Sequence, residues 1–298
     1  MSLDAHPGLP DFEYVKPESL PEASQFLAAH AGEARPMMGG TDVFVRMRNG
    51  AWRDKYLVDV KCLANMNEIA YSETDGLVIG AAVSMNRVIA DPAVRERYPV
   101  LGEAAESCAS YQIRTRATIA GNICNASPAG DTIGACMLLD GILDIHGLAG
   151  RRQESLSTFF IGPGKTTLGP GDIVTALRLP VPAKGMAGRY IKHGRNKVSD
   201  LAIVGITAVG YPQANAASGM NIRLALASVA PVPLVVDEVE AILSRKKIDE
   251  KSIHEAAEAA MAACNPIDDV RGSARYRKLM VRNLSVKALS DVWQQLST

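Results

Sequence analysis

Two apolar spacings share the 298-residue chain, one helical and one alternating, and they mark out its elements. Leu20, Ala23, Phe26 and Leu27 form one helical face. Ser19 and Glu22 have capping-box spacing, Pro21 sits in the first turn and Gly32 follows the end. Arg35–Met38 reads as a strand entering Gly39-Gly40-Thr41-Asp42, with the helical segment VFVRMRNG behind it. Tyr56–Val60 reads as a strand, and Ile69–Tyr71 and Leu77–Ile79 flank the hairpin signal Asp75-Gly76. Ser84 opens a short helix ending near Pro92, and a longer one follows Pro99 towards Cys108. Thr118–Asp131, TIAGNICNASPAGD, reads as a small-residue loop before the helix-like run TIGACMLLDG. Asp140-Gly141 turns into a strand, Ile142–His146; HGLAGRR reads as a hairpin connection and Ile173–Leu179 as another strand.

Pro180–Gly185 reads as a linker and sets a domain boundary between residues 1–182 and 186–298. Beyond it, Gly188–His193, Ala202–Tyr211 and Ile222–Val229 alternate as strands. Helices follow at about Val235–Ser244 and Ser252–Ala263, and a basic one starts near Ser273. Strands followed by helices predict an α+β second domain, a three-stranded antiparallel sheet under a helical layer.

Composition narrows the function. Lys+Arg and Asp+Glu balance at 32 each, which argues against a dedicated nucleic-acid binder. No apolar run is long enough to insert in a membrane. The start, MSLDAHPGLPDFEY, has neither a basic region nor an apolar core, so no signal peptide is expected. The five cysteines form no C-x-x-C pair and the five histidines are scattered. Reduced thiols, a cytoplasmic location and no metal site are the expectations.

No G-x-S-x-G elbow and no evident carboxylate pair appear, so the chain is expected to borrow its chemistry from a cofactor. Gly164-Lys165-Thr166 ends like a P-loop, but Phe159 occupies the position of its first glycine. The Gly39–Asp42 turn and the Thr118–Asp131 stretch are better candidates. Small residues admit a ligand to the backbone, and successive N–H groups form an anion cradle. Two such cradles about 80 residues apart suit a dinucleotide.

Together these residues resemble the FAD-binding medium subunit of the molybdenum hydroxylases, the xanthine dehydrogenase and carbon monoxide dehydrogenase type. The resemblance rests on MMGGTDV (Met37–Val43), Gln112-Ile113-Arg114, TIAGNICNASPAGD, FFIGPGKTTLGPGDIVTALRLP, Lys192 with Ser199-Asp200-Leu201-Ala202, and RGSARYRKLMVRNLSVKAL (Arg271–Leu289). They occur in the family's order over nearly the whole chain.

The resemblance implies a vanillyl-alcohol-oxidase (PCMH-type) FAD-binding domain of two α+β lobes, about 1–55 and 56–182, before the smaller C-terminal domain. It places Pro36, Met37, Met38, Gly39, Gly40, Thr41, Asp42 and Val43 on one side of the FAD pyrophosphate. Thr118, Ile119, Ala120, Gly121 and Asn122 take the other side. Asp131 matches an FAD-contacting Asp, Val174 an adenine-side Leu, and Lys192 a lysine beside the flavin ring. Lys192 could otherwise pair only with a nearby carboxylate such as Asp200. Three positions depart from the pattern. Ala120 replaces a usual Gly, which requires negative φ there. Cys108 stands where some relatives have Phe, and Leu201 where some have an aromatic residue. No cysteine-bearing insertion for an extra iron–sulfur cluster occurs.

The implied function is electron exit. In such a complex a molybdopterin large subunit oxidises the substrate, and a small subunit with two 2Fe-2S clusters carries the electrons to FAD on this chain. An external acceptor then takes them. The implied assembly is a heterotrimer, paired as a dimer of heterotrimers. A stand-alone flavin reductase or oxidase, or a non-catalytic flavin scaffold, would keep the same cradles.

Overall fold

The expected first helix forms where its signals stand. In the computed structural model, which describes residues 8–298, the Ser19 hydroxyl accepts from the Glu22 N–H and caps it. Residues 1–7, which include His6 and half of the N-terminal stretch MSLDAHPGLPDFEY, lie outside the described residues. The first lobe runs β1 (Glu13–Val15), α1 (Leu20–Ala29), β2 (Ala34–Met37), α2 (Val43–Arg48) and β3 (Tyr56–Asp59). Its strands pair in parallel in the order β1-β3-β2. The lobe boundary expected after residue 55 therefore cuts through the structure, because Tyr56–Asp59 is the central strand of this sheet. The buried Asp59 carboxylate ends that strand and is held by Tyr14 and Lys61.

The second lobe opens with the hairpin β4 (Ile69–Ser72) and β5 (Gly76–Gly80), where Gly76 takes φ +75° and lies against the Leu179 carbonyl. Six short helices follow: α3 (Met85–Ala90), α4 (Pro92–Arg97), α5 (Pro99–Glu106), α6 (Tyr111–Arg114), α7 (Ile119–Asn125) and α8 (Ile133–Leu138). Then come β6 (Ile142–Gly147), β7 (Gly150–Ser155), α9 (Leu156–Phe159), the small hairpin β8 (Phe160–Gly162) and β9 (Lys165–Thr166), and β10 (Ile173–Leu179). The main sheet is antiparallel, in the order β4-β5-β10-β6-β7. Its buried face packs with Val88, Leu101, Ile123, Ile133 and Phe159 in one core.

The C-terminal domain runs β11 (Ala187–His193), β12 (Val204–Pro212), β13 (Met220–Ala227), β14 (Leu234–Val235), α10 (Asp237–Ser244), α11 (Glu250–Ala263) and α12 (Ala274–Ser297). Its antiparallel sheet has four strands, not three. Leu234 and Val235 pair with Leu226 and Ala225. Pro231 and Pro233 hold the approach extended, so the helix expected from Val235 begins only at Asp237, where acidic residues favour its N-terminus. Among the described residues no helix is long and apolar enough to cross a membrane.

One side chain ties α12 to this sheet. Arg277 is 3% exposed and donates to the carbonyls of Ile203 (2.8 Å) and Ser228 (3.0 Å) and to Asp269 (2.7 Å). Arg277→Ala strands those buried acceptors. Chemical denaturation is expected to show a loss of about 3 kcal/mol; a loss under about 0.5 kcal/mol would remove Arg277 from the fold's supports.

Candidate functional site

The glycine turn follows directly from a parallel strand. β2 ends at Met37, beside Asp59 and 4% exposed, and the chain then leaves the sheet through Met38, Gly39, Gly40, Thr41 and Asp42. Parallel strands deliver their loops to one end of a sheet, where α/β proteins put ligands. Gly39 has no room for a side chain: a Cβ there would lie 2.0 Å from the Arg116 carbonyl oxygen. Gly40 holds φ +75°. The turn thus lies against the residues just before Thr118.

Thr118–Asn125 is the main correction to the sequence reading. The stretch expected to be a loop is the start of a helix. The Thr118 hydroxyl accepts from the Gly121 N–H at 2.9 Å and caps α7, and Ala126 ends it in the left-handed conformation at φ +47°. Helical backbone answers the question raised by Ala120. Its φ is negative, and its methyl packs into the second-lobe core at 4% exposure.

The donor set suits an anion. Among the described residues, the backbone N–H groups of Met38 through Asp42 find no acceptor, nor does that of Ala120; the Ile119 N–H faces the strand-like bridge between Ser84 and Thr118. The two stretches also touch through side chains, Asn125 Nδ2 donating to Asp42 Oδ1 at 3.3 Å. Asn125 Oδ1 is buried with no partner. Asp42 meets solvent inside a crowded recess, and that crowding raises its pKa although Arg46 opposes the shift. Unpaired amides where two cradles meet fit a phosphorylated ligand, and the orphaned Asn125 Oδ1 would accept from a hydroxyl or N–H of that ligand.

The third part of the site comes from the C-terminal domain. Asp131, 6% exposed between α7 and α8, accepts from Tyr190 Oη at 2.6 Å and from Lys192 Nζ at 2.8 Å. Both donors stand on β11. Lys192 also donates to the Ser107 carbonyl at 3.1 Å. Its partner is therefore Asp131, not the Asp200 that sequence proximity suggests. Asp200 is taken by Arg195, whose side chain and N–H, with the Asn196 N–H, hold its carboxyl down at about 2. Burial raises the Asp131 pKa, against the opposing effects of Lys192 and Tyr190. The half-buried Cys108 thiol belongs to the same group; burial and then the Asp131 charge push it up to about 12, so it stays protonated at neutral pH. A recess of about 320 Å³ beside Lys192 is lined by Glu103, Glu106, Ser107, Asn196 and Lys197.

The structure thus gathers Met38–Asp42, the start of α7, Cys108, Asp131 and Lys192 around one junction of three bodies. Pro36 and Met37 lie on β2, Val43 opens α2, and the Asn122 side chain accepts from Thr132 at 2.8 Å. Val174 stands apart, 4% exposed in the second-lobe core where β10 shifts register. Leu201 is exposed in the loop after β11. Sequence reasoning missed Asn125 and Tyr190. Tyr190 precedes Lys192 by two residues, and strand alternation puts the two on one face.

Comparison with known proteins agrees with this geometry. Residues 10–182 match the FAD-binding domain in molybdopterin dehydrogenases, and residues 189–292 the carbon monoxide dehydrogenase flavoprotein C-terminal domain. The chain is 32% identical to the carbon monoxide dehydrogenase medium chain of Hydrogenophaga pseudoflava, over 95% of its own length and 98% of the relative's. It is 28% identical to a putative xanthine dehydrogenase FAD-binding subunit of Escherichia coli, over 93% and 94%. Among solved structures it resembles carbon monoxide dehydrogenase of H. pseudoflava, with TM-score 0.91 and 31% identity over 96% and 98% of the chains. Quinoline 2-oxidoreductase of Pseudomonas putida 86 gives 0.90 and 26% over 98% and 100%. With both of its domains matched in order, the chain belongs to the family of FAD-binding subunits of the molybdopterin dehydrogenases.

Proposed function

We propose that the chain is the FAD-carrying electron-transfer subunit of a heterotrimeric molybdenum hydroxylase, receiving electrons from the 2Fe-2S clusters of a small subunit and releasing them to an external acceptor. The observation that carries this reading is the run of unpaired N–H groups from Met38 to Asp42, set against the start of α7. In this reading those amides and the Ala120 N–H group hold the FAD pyrophosphate, and Asp131 and Lys192 lie at the ring end. When bound, FAD supplies the capacity to take electrons singly and give them up in pairs.

The chain's own residues set the conditions. Amides fixed by β2 and α7 meet the pyrophosphate without reorganising, and each hydrogen bond to a charged group contributes about 1.5–3 kcal/mol. Lys192 would bring a positive charge to the ring end, where it could offset charge gained on reduction, and its bond to Asp131 keeps it oriented. Relatives named as medium chains and FAD-binding subunits support a partnership with further subunits; in this reading these are a small iron–sulfur and a molybdopterin-bearing large subunit, assembled as a dimer of heterotrimers in the cytoplasm. The family resemblance favours this reading over a stand-alone reductase or oxidase and over a non-catalytic scaffold.

Affinity purification of the tagged chain from its native cells tests the assembly. Two further polypeptides are expected, one carrying iron–sulfur and one molybdopterin. A lone flavoprotein that turns over substrate by itself would contradict it. Gly39→Ala tests the cradle. Its Cβ forces the turn away from Arg116, so FAD affinity measured by fluorescence titration should fall at least about tenfold with circular dichroism unchanged. Wild-type affinity would take the turn out of the site.

A further inference from the structure

Tyr190 makes a contact that ordinary core packing does not require. Its phenol, on a residue 4% exposed, donates to Asp131 Oδ1 at 2.6 Å across the boundary between the C-terminal domain and the second lobe. The Tyr190 N–H donates to Glu103 of α5 at 2.8 Å, which fixes the backbone beneath the ring. Gly205, opposite Lys192 on β12, leaves the phenol its place: a Cβ there would lie 3.2 Å from Tyr190 Oη and 3.1 Å from the Ala227 methyl.

We propose that Tyr190 is a positioning residue of the flavin site: its hydroxyl fixes one oxygen of Asp131, so that Lys192 engages only the other and keeps a donor free for the ring. The inference deepens the FAD reading and rests on it. An ammonium has three donors. Lys192 uses one on Asp131 Oδ2 and one on the Ser107 carbonyl, which leaves the third. Without the phenol, Oδ1 loses its hydroxyl donor, and the weakly donating Cys108 thiol is what remains beside the carboxylate. The carboxylate can then turn about its Cβ–Cγ bond and draw the ammonium across both oxygens.

The charged and titratable groups facing Asp131 are Tyr190 and Lys192 from β11 and Cys108 from the segment after α5. Asp42 of the first lobe adds its charge on the Cys108 side. A hydrogen bond to the ionised form favours that form. Removing the phenol therefore moves the Asp131 titration further up, in the direction burial already pushes it.

Tyr190→Phe in the full-length chain tests the inference with two readouts. In the flavin-free protein, carboxyl carbon resonances are followed against pH, Asp131 being assigned by its loss in Asp131→Asn. The Asp131 titration is expected to move up by about one unit, a tenfold change in proton affinity. In the FAD-bound protein, the variant keeps wild-type flavin content, but its visible band shifts with pH over that same range. The wild-type band does not, and Tyr190→Phe combined with Asp131→Asn abolishes the shift. An unchanged Asp131 titration, or a pH-independent flavin band in Tyr190→Phe, would overturn the inference and leave Tyr190 as packing. Failure of the wild-type chain to bind added FAD would instead overturn the flavin reading. The carboxyl titration separates the two failures.

Discussion

A carboxylate buried as deeply as Asp131 is tolerable only with a partner charge and satisfied oxygens, because an unpaired buried ion costs several kcal/mol. Its two strong hydrogen-bond donors, Tyr190 and Lys192, come from β11 of the other domain. The loop carrying Asp131 is thus completed only when the C-terminal domain docks. Packing follows the same line. Gly188 lies against Val100, and Gly134 against Thr207 and Ala225, each too close for a side chain without displacement. Pro128 accepts from the Ser228 N–H at 2.7 Å and Leu138 from Arg223 at 3.2 Å. One electrostatic requirement therefore fixes where α7, α8 and β11 meet.

The first lobe joins through backbone. Gly39 approaches the Arg116 carbonyl so closely that the turn and the approach to α7 behave as one object. Burying the Ala120 methyl in the core leaves the helix start free of a side chain on the cradle side. The result is an FAD-family subunit whose proposed pyrophosphate contacts are main-chain, while its proposed ring contacts are side chains held by charge.

Much of the frame was legible because its signals are local. Ser19 and Ser273 cap helices, and Asp75-Gly76 turns a hairpin. Errors arose where one residue type carries two meanings. Pro92 does stop the helix opened by Ser84, which ends at Ala90, but it is also the first residue of α4, a helix capped by Asp91 that the sequence reading left out. Gly, Asn and Ile are modest helix formers, so Thr118–Asn125 read as loop, although Thr118 was a cap in plain sight. The partner of Lys192 was not legible at all. Asp200 is eight positions away and Asp131 is sixty-one, and only the fold brings the distant one within 2.8 Å.

In the proposed reading, main-chain amides of two cradles grip a pyrophosphate. Binding of FAD and of FMN to the flavin-free chain, compared by calorimetry under one buffer, tests it most directly, since FMN has the same ring but no pyrophosphate bridge and no adenosine. The account predicts FAD tighter by at least about a hundredfold, the worth of one or two charge-assisted hydrogen bonds. Equal affinities for the two would contradict it.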